Sequence, residues 1–190
     1  MECNGQGLEN KLKGFKVSNV LEEKRRDDNT MMEHTERNTV YRYVVAETPE
    51  EATALVSQEI QATYLDKPFQ CRKLLQEEYT VEEVTQMLKG YLFLGPTKCE
   101  YTFKGEQDEH SKIFYFAKAI GPNIQEAKQI AEDTAHEYER RRANNPCNVK
   151  SLSPESFKLQ GAFSLESEMW KALPQVVFQY DLTGALRILN

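Results

Sequence analysis

The sequence lacks the features that would commit it to a metal, a membrane or an oxidising compartment. Cys3, Cys71, Cys99 and Cys147 are widely separated, form no CxxC pair and have no histidine cluster near them, so no zinc site is predicted. No stretch approaches the roughly 18 consecutive apolar residues that a bilayer span requires. The amino terminus has no basic segment followed by an apolar core, as a signal peptide would. We therefore expect reduced, structural cysteines, no membrane association and a cytoplasmic or nuclear location.

Recognisable catalytic motifs are also missing. The sequence has no glycine-rich phosphate loop, nucleophile elbow or paired-histidine metal motif. His110 lies beside Asp108 and Glu109, but a solvated loop explains these residues better than an acid–base pair or a metal site, because adjacency does not make side chains converge. His34 lies in a predicted tail, and His136 falls on the polar side of its predicted helix. We expect a protein that is not an enzyme and binds no cofactor or metal. An enzyme whose site is assembled from residues distant in sequence is the alternative left open.

The charge balance bears on the class of partner. Acidic residues outnumber basic ones by 30 to 24, which gives a formal net charge of −6 and a pI of about 5.3. A net negative charge argues against a protein that binds nucleic acid through nonspecific attraction to its phosphates. A local basic face on the surface is still compatible with this overall charge. The chain of 190 residues is long enough for one domain of ordinary size or two small ones.

The strongest local pattern extends over residues 112–142. The aromatic run 113–117 favours a strand, and Gly-Pro-Asn at 121–123 ends it. Asn123 and Glu126 then form a capping box at the start of a long helix. Apolar and small residues at the helical period predict the buried face of this helix: Ile124, Ala127, Ile130, Ala131, Thr134, Ala135 and Tyr138.

The first part of the chain contains a predicted leader and a strand–helix–strand unit. Residues 1–38 are interpreted as disordered or partner-docking, because a short amphipathic stretch is followed by seven charged residues at 22–28. Residues 39–79 begin with an aromatic, β-branched strand, enter a helix that Thr48 caps, and return as a strand. The order is similar to that of 113–142. Two related strand–helix units are one explanation, and convergence on favourable helix starts is the other.

Residues 80–142 are predicted to form a helix, three strands and a second helix. Thr-Val-Glu-Glu at 80–83 predicts the capped start of the first helix. This α-β-β-β-α order resembles the double-stranded-RNA-binding domain. Gly95-Pro96 resembles that family's loop between its first two strands, and Glu-Ala-Lys-Gln at 126–129 resembles its last helix. The resemblance covers about a third of the chain and implies duplex RNA as a ligand.

The sequence departs from that family where the family contacts phosphates. The family places a basic cluster at the start of its last helix, where lysines and the helix dipole meet the RNA backbone. Here Asn123, Ile124, Gln125 and Glu126 occupy that start, and only Lys128 remains. This departure favours a variant that has exchanged RNA binding for protein contacts.

Seven residues are candidate contacts to a partner or to RNA. Lys98 stands where the family has a histidine, and Tyr115 faces away from its strand neighbours, so it is either covered by another layer or available for stacking. The three arginines that end the long helix are explained either by the helix dipole and solubility or by a grip on phosphates or an acidic partner. The candidates are Lys98, Tyr115, Lys118, Lys128, Arg140, Arg141 and Arg142.

The sequence therefore predicts an α+β protein with an antiparallel sheet and capped amphipathic helices packed on one face. The predicted segments are 1–38, 39–79, 80–142 and 143–190, the last of which holds short helices and a closing hairpin. We expect a non-enzymatic interaction, adaptor or inhibitor protein that acts on a protein partner. The alternatives are a module for double-stranded RNA and an enzyme whose site is not visible in the sequence.

Overall fold

The computed structural model describes residues 12–26, 30, 32–65, 71–76, 78–97, 99–103, 106–109, 113–142, 149–152 and 157–178. The elements are β1 (Lys13–Arg26), β2 (Glu33–Ala46), α1 (Pro49–Tyr64), β3 (Arg72–Leu74), β4 (Thr80–Val84), β5 (Lys89–Thr97), β6 (Cys99–Phe103), β7 (Glu106–Glu109), β8 (Ile113–Gly121), α2 (Ile124–Arg142), β9 (Val149–Leu152), β10 (Lys158–Phe163), α3 (Glu168–Ala172) and β11 (Val176–Phe178). The strand pairs are antiparallel. The protein thus has the predicted α+β fold.

The first sheet is built around β1, which pairs with strands on both sides. It pairs along its full length with β2, and on its other side first with β4 and then with β3. Phe15, Val17 and Leu21 alternate with polar residues, as the two-residue period of a strand requires, and they are buried beneath α1. The helix contributes four buried residues to this core: Ala52, Val56, Ile60 and Tyr64.

The second sheet has the strand order β10-β5-β8-β11, and α2 packs against β8 and β5. Phe93, Tyr115 and Ala117 are completely buried there. Small residues on α2 let the helix approach the sheet closely, and Ala127, Ala131 and Ala135 have no exposed surface. A third sheet of three strands has the order β7-β6-β9.

The strand β2 joins the two cores, because its opposite faces belong to different ones. Val40 and Ala46 pack in the core under α1, whereas Tyr43 packs in the core under α2. The Tyr43 hydroxyl donates a hydrogen bond to the carboxylate of Glu126 in the first turn of α2. An edge strand of the first sheet thereby fixes the position of the second helix.

The prediction of a disordered leader over residues 1–38 is wrong for the part that the structure describes. Residues 13–26 are the central strand of the first sheet, and residues 33–38 begin β2. The charged run that suggested a solvated tail contains Glu22 and Glu23, which are both buried because arginine and lysine side chains neutralise them.

The helix predicted from Thr80 is also wrong. Residues 80–84 form β4, with Val17 opposite Val81 and Ser18 opposite Thr80. A capping pattern expresses only a local preference for a helix. At residues 80–84 the backbone hydrogen bonds to β1 outweigh that preference. The α-β-β-β-α order behind the resemblance to the RNA-binding family therefore lacks its first helix at residues 80–84.

Other local predictions are confirmed. Thr48 accepts a hydrogen bond from the Glu51 amide and so caps α1, and the Glu51 carboxylate accepts one from the amide of Glu47, the residue before the cap. The Glu126 amide donates to Asn123 in the same way at the start of α2. In the last segment, α3 contains Trp170 as predicted, and one arm of the predicted closing hairpin forms β11, which pairs with β8. The other arm, residues 185–189, lies outside the described residues.

The cysteine prediction is wrong for Cys71, which is disulfide-bonded. Cys71 lies directly before β3, and its carbonyl accepts a hydrogen bond from the Lys24 amide of β1 at 2.9 Å. The side chains of the other three cysteines lie outside the described residues.

Candidate functional site

A cleft separates α1 from α2 and the second sheet, and it has a wide end and a narrow end. The wide end has a volume of about 310 Å³ and is lined by Glu59, Ala62, Thr63, Thr134, Glu137, Tyr138, Gln175 and Val176. The narrow end has a volume of about 180 Å³ and is lined by Arg42, Tyr43, Glu59, Lys118, Ala119, Ile120, Ile130, Trp170 and Gln175. Glu59 and Gln175 line both ends, so the two volumes are neighbouring parts of one cleft.

One side of α1 forms a wall of the cleft. The N-cap fixes the start of the helix, and the buried residues at 52, 56, 60 and 64 fix its rotation. Glu51, Leu55, Glu59 and Ala62 follow one another at helical spacing on a different stripe. Leu55 is half-exposed, at 49%. The stripe thus continues the lining of the wide end along the outside of the helix.

Arg42 forms the floor of the narrow end and ties the two helices together. Its Nε donates to Glu59 Oε1 of α1 at 2.8 Å, and its Nη2 donates to Thr134 Oγ1 of α2 at 3.0 Å. Its Nη1 donates to the Tyr41 carbonyl at 2.8 Å and to the Tyr64 hydroxyl at 3.5 Å. All three guanidinium nitrogens are engaged, and the Glu59 carboxylate compensates the charge of Arg42, as burial requires.

Lys118 of β8 also lines the narrow end. Its Nζ is 4.8 Å from the centroid of the Trp170 ring and donates to the Trp170 carbonyl at 3.3 Å. Gln175 is hydrogen-bonded to the backbone of Lys118. Its carbonyl accepts from the Lys118 amide at 3.0 Å, and its side-chain Nε2 donates to the Lys118 carbonyl at 3.1 Å. Burial lowers the pKa of the Lys118 ammonium, while the negative charge of Glu59 acts in the opposite direction.

Behind the cleft lies a buried ionic cluster. Arg72 Nη1 is 2.5 Å from Glu137 Oε2, and Arg72 Nη2 is 2.9 Å from Glu23 Oε2. Arg140 Nη2 is 2.6 Å from Glu23 Oε1. Burial alone would raise the pKa of Glu23, but the hydrogen bond and charge of Arg140, together with the charge of Arg72, lower it to about 2. These two acids and two bases neutralise each other and connect β1, β3 and α2.

The structure brings one predicted contact residue, Lys118, into the cleft. Lys128 is partly exposed on α2 with its Nζ 3.7 Å from Glu132 Oε1, outside the cleft lining. Lys98 lies outside the described residues. Arg141 and Arg142 end α2, and their side chains are not described.

Two of the candidate contacts have buried side chains, which for Tyr115 is the alternative in which another layer covers it. Tyr115 has no exposed surface and packs edge-on against Tyr138, with ring centroids 5.8 Å apart. Arg140 is 2% exposed and belongs to the ionic cluster. His136 was placed on the polar side of α2, yet it is only 8% exposed, since the end of this helix is covered on more than one side.

Sequence reasoning missed Arg42, Glu59, Trp170 and Gln175 as members of a common site. Glu59 and Arg42 occur in segments predicted correctly as helix and strand, but nothing local pairs them. The sequence signal for this site was Arg42, which lies within an aromatic, β-branched strand. An arginine in such a strand is expected to be buried, and a buried charge needs a partner. Trp170 and Gln175 come from the last segment, whose packing no local pattern specifies.

The described residues contain no cluster of three or more His, Cys, Asp or Glu side chains arranged to hold a metal ion. Within the same residues, none of the helices is both long enough and apolar enough to cross a membrane. Comparison with protein-family models, with curated proteins and with solved structures finds no match for this chain. The arrangement of the cleft is therefore the basis for a functional proposal.

Proposed function

We propose that this protein is a non-enzymatic interaction protein that binds a basic, amphipathic segment of a partner protein along α1 and the wide end of the cleft. The observation that carries the proposal is the stripe of Glu51, Leu55, Glu59 and Ala62 beside an open cleft that is mostly apolar. An apolar surface next to a groove, rimmed by charge of one sign, is the usual form of a peptide-binding site.

The apolar part of this surface comes from both sides of the cleft. Leu55 and Ala62 are exposed on α1, and Tyr138, 38% exposed, lies opposite on α2. Val176 closes the base between them. An apolar side chain of a partner segment would enter this space and remove these four side chains from water.

The charge of α1 sets the chemistry of the partner. The helix carries Glu50, Glu51 and Glu59 and contains no lysine or arginine between residues 49 and 64. Glu50 and Glu51 also lie in the first turn, and no basic residue offsets them in the last turn. Acidic surfaces attract basic partners, and such rim charges govern association rate and salt dependence more than they govern affinity.

The proposal is tested with two synthetic amphipathic helices in a fluorescence anisotropy titration. One peptide carries leucine on one face and lysine on the other, and the second has glutamate at every lysine position. We expect the lysine peptide to bind and the glutamate peptide not to bind. Binding should weaken as salt is raised, because exposed charges are screened. Equal binding of both peptides, or of neither, would contradict the proposal.

Variants locate the surface. Leu55→Lys adds a positive charge to the stripe and should abolish binding of the lysine peptide. Met87→Lys is the matched control, because Met87 is 77% exposed and lies outside the cleft lining. Duplex RNA is titrated against the protein in parallel, once at low salt and once at raised salt. Salt-sensitive RNA binding that is lost in Lys128→Ala would favour the nucleic-acid alternative instead.

A further inference from the structure

The narrow end of the cleft is lined by one acid, Glu59, and by two bases, Arg42 and Lys118. Glu59 lies on α1, and Lys118 lies on β8 beside Trp170. No salt bridge joins these two side chains to each other within the described part of the chain, although both line the same space. The negative charge of Glu59 nevertheless acts on the Lys118 ammonium.

Each of the two charged groups retains unused hydrogen-bonding capacity. An ammonium group has three donors, and one of those on Lys118 is directed at the Trp170 carbonyl. The Glu59 carboxylate accepts from Arg42 through Oε1, and among the described residues no hydrogen bond reaches its Oε2. Arg42 supplies no free positive charge, because its nitrogens are engaged by Glu59, Thr134, Tyr64 and a carbonyl.

The rest of the lining suits a small apolar group. Ile120, Ile130 and Trp170 provide the apolar surface, and Arg42 and Tyr43 close the floor. Pockets for drug-sized ligands usually measure roughly 300–1,000 Å³. A volume of about 180 Å³ therefore fits a ligand with only a few non-hydrogen atoms.

We propose that the narrow pocket binds a small zwitterion, a free α-amino acid with a compact apolar side chain, whose carboxylate contacts Lys118 and whose ammonium contacts Glu59. The side chain lies against Ile120, Ile130 and the Trp170 indole. The ligand's carboxylate compensates the charge of Lys118, and its ammonium donates to Glu59 Oε2, which Arg42 leaves unoccupied, so a ligand with both groups makes one more charge-assisted contact than a ligand with either alone. This pocket shares Glu59 with the proposed partner surface, and titrations that contain no peptide test it separately.

The test uses glycine, L-alanine and L-valine as probes of the intact protein. Trp170 is the only tryptophan, so its fluorescence reports on this pocket, and calorimetry checks the stoichiometry. We expect saturable binding of L-valine. N-acetyl-L-valine lacks the ammonium and L-valine amide lacks the carboxylate, and each should bind about tenfold or more weakly, since a charge-assisted hydrogen bond is lost.

Variants assign the two charges. Lys118→Met and Glu59→Gln should each raise the Kd for L-valine about tenfold, whereas Lys118→Arg should retain most of the affinity. Lys89→Met and Glu50→Gln are matched controls at exposed positions outside the pocket and should leave the Kd unchanged.

Two results would overturn the inference. One is the absence of saturable binding for all three amino acids at millimolar concentration. The other is equal binding of L-valine and either blocked derivative, which would show that the pocket does not recognise the ammonium and the carboxylate of the ligand together. If Lys118→Met or Glu59→Gln fails to fold, the blocked derivatives still decide the outcome on the unsubstituted protein.

Discussion

Arg140 of α2 and Glu23 of β1 form a buried ion pair across 117 residues of sequence, with Arg140 Nη2 2.6 Å from Glu23 Oε1. The two side chains are 3% and 4% exposed. Arg72 completes the arrangement by bridging Glu23 and Glu137. The end of the second helix is thereby attached to the central strand of the first sheet.

Removing one partner of this pair should strongly destabilise the protein. Arg140→Met leaves Glu23 with less compensation in a buried place, and breaking a buried pair in this way costs about 3–5 kcal/mol. Urea denaturation followed by circular dichroism measures the free energy of unfolding. Lys171→Met is the control, because the Lys171–Glu168 pair is exposed and should contribute less than about 1 kcal/mol. Similar losses in the two variants would contradict a structural role for Arg140.

Stability should fall in acid in two steps, and one buried acid opposes the first of them, because burial raises the pKa of Asp133 from 3.8 to about 6. Burial, followed by the charge of Arg140, lowers the pKa of His136 from 6.5 to about 4. The unfolded chain then binds the proton first, so stability is lost as pH falls from 6.5 towards 4. The pKa of Glu23 is lowered from 4.5 to about 2, and its contribution, present above pH 4.5, is lost as pH falls towards 2.

The two steps can be separated by substitution. His136→Gln should remove the contribution of His136 to the free energy of unfolding between pH 6.5 and 4, up to about 3 kcal/mol for a shift of this size. The opposite contribution of Asp133 remains, so stability of this variant should rise as pH falls through the window. The substitution should leave the step below pH 4.5 in place. Chemical denaturation at a series of pH values measures both. An unchanged slope between pH 6.5 and 4 would show that His136 is not buried in its neutral form.

Reduction of the Cys71 disulfide should destabilise the protein. Closing a loop in the unfolded chain typically contributes about 2–4 kcal/mol, and this contribution should disappear with dithiothreitol or in Cys71→Ser. Denaturation with and without reductant gives the size of the effect, and peptide mapping without reduction identifies the partner among Cys3, Cys99 and Cys147. Four free thiols in the untreated, denatured protein would contradict the bond. The predicted cytoplasmic or nuclear location, which rested on reduced cysteines, stays a prediction.

Gly90 should not tolerate a side chain. A Cβ at this position would lie 2.6 Å from the Trp170 ring, which is the close approach that packs α3 onto β5. Gly90→Ala should displace the indole and cost about 1–3 kcal/mol through overpacking, with a change in Trp170 fluorescence. Gly14→Ala is the control, because its nearest neighbour is the end of the Leu88 side chain at 3.1 Å, which needs to move by only a few tenths of an ångström. A variant at Gly90 as stable as the control would show that α3 can shift without cost.

The sequence by itself determined the elements whose signals are local. The capping residues Thr48 and Asn123 fixed the starts of both long helices, and the aromatic run before Asn123 fixed β8. The α+β class followed from these units. Their physical basis is short-range, because a cap or a two-residue alternation stabilises its own segment.

Only the tertiary structure decided the rest. Residues 80–84 have a helix-start pattern but form a strand because β1 lies beside them, and Glu23 is buried because Arg72 and Arg140 arrive from distant segments. The cleft has the same origin, since Glu59 and Lys118 line one pocket only after α1 and the second sheet have packed together. Long-range pairing of charges and strands depends on which surfaces meet, and no local pattern in the chain specifies that.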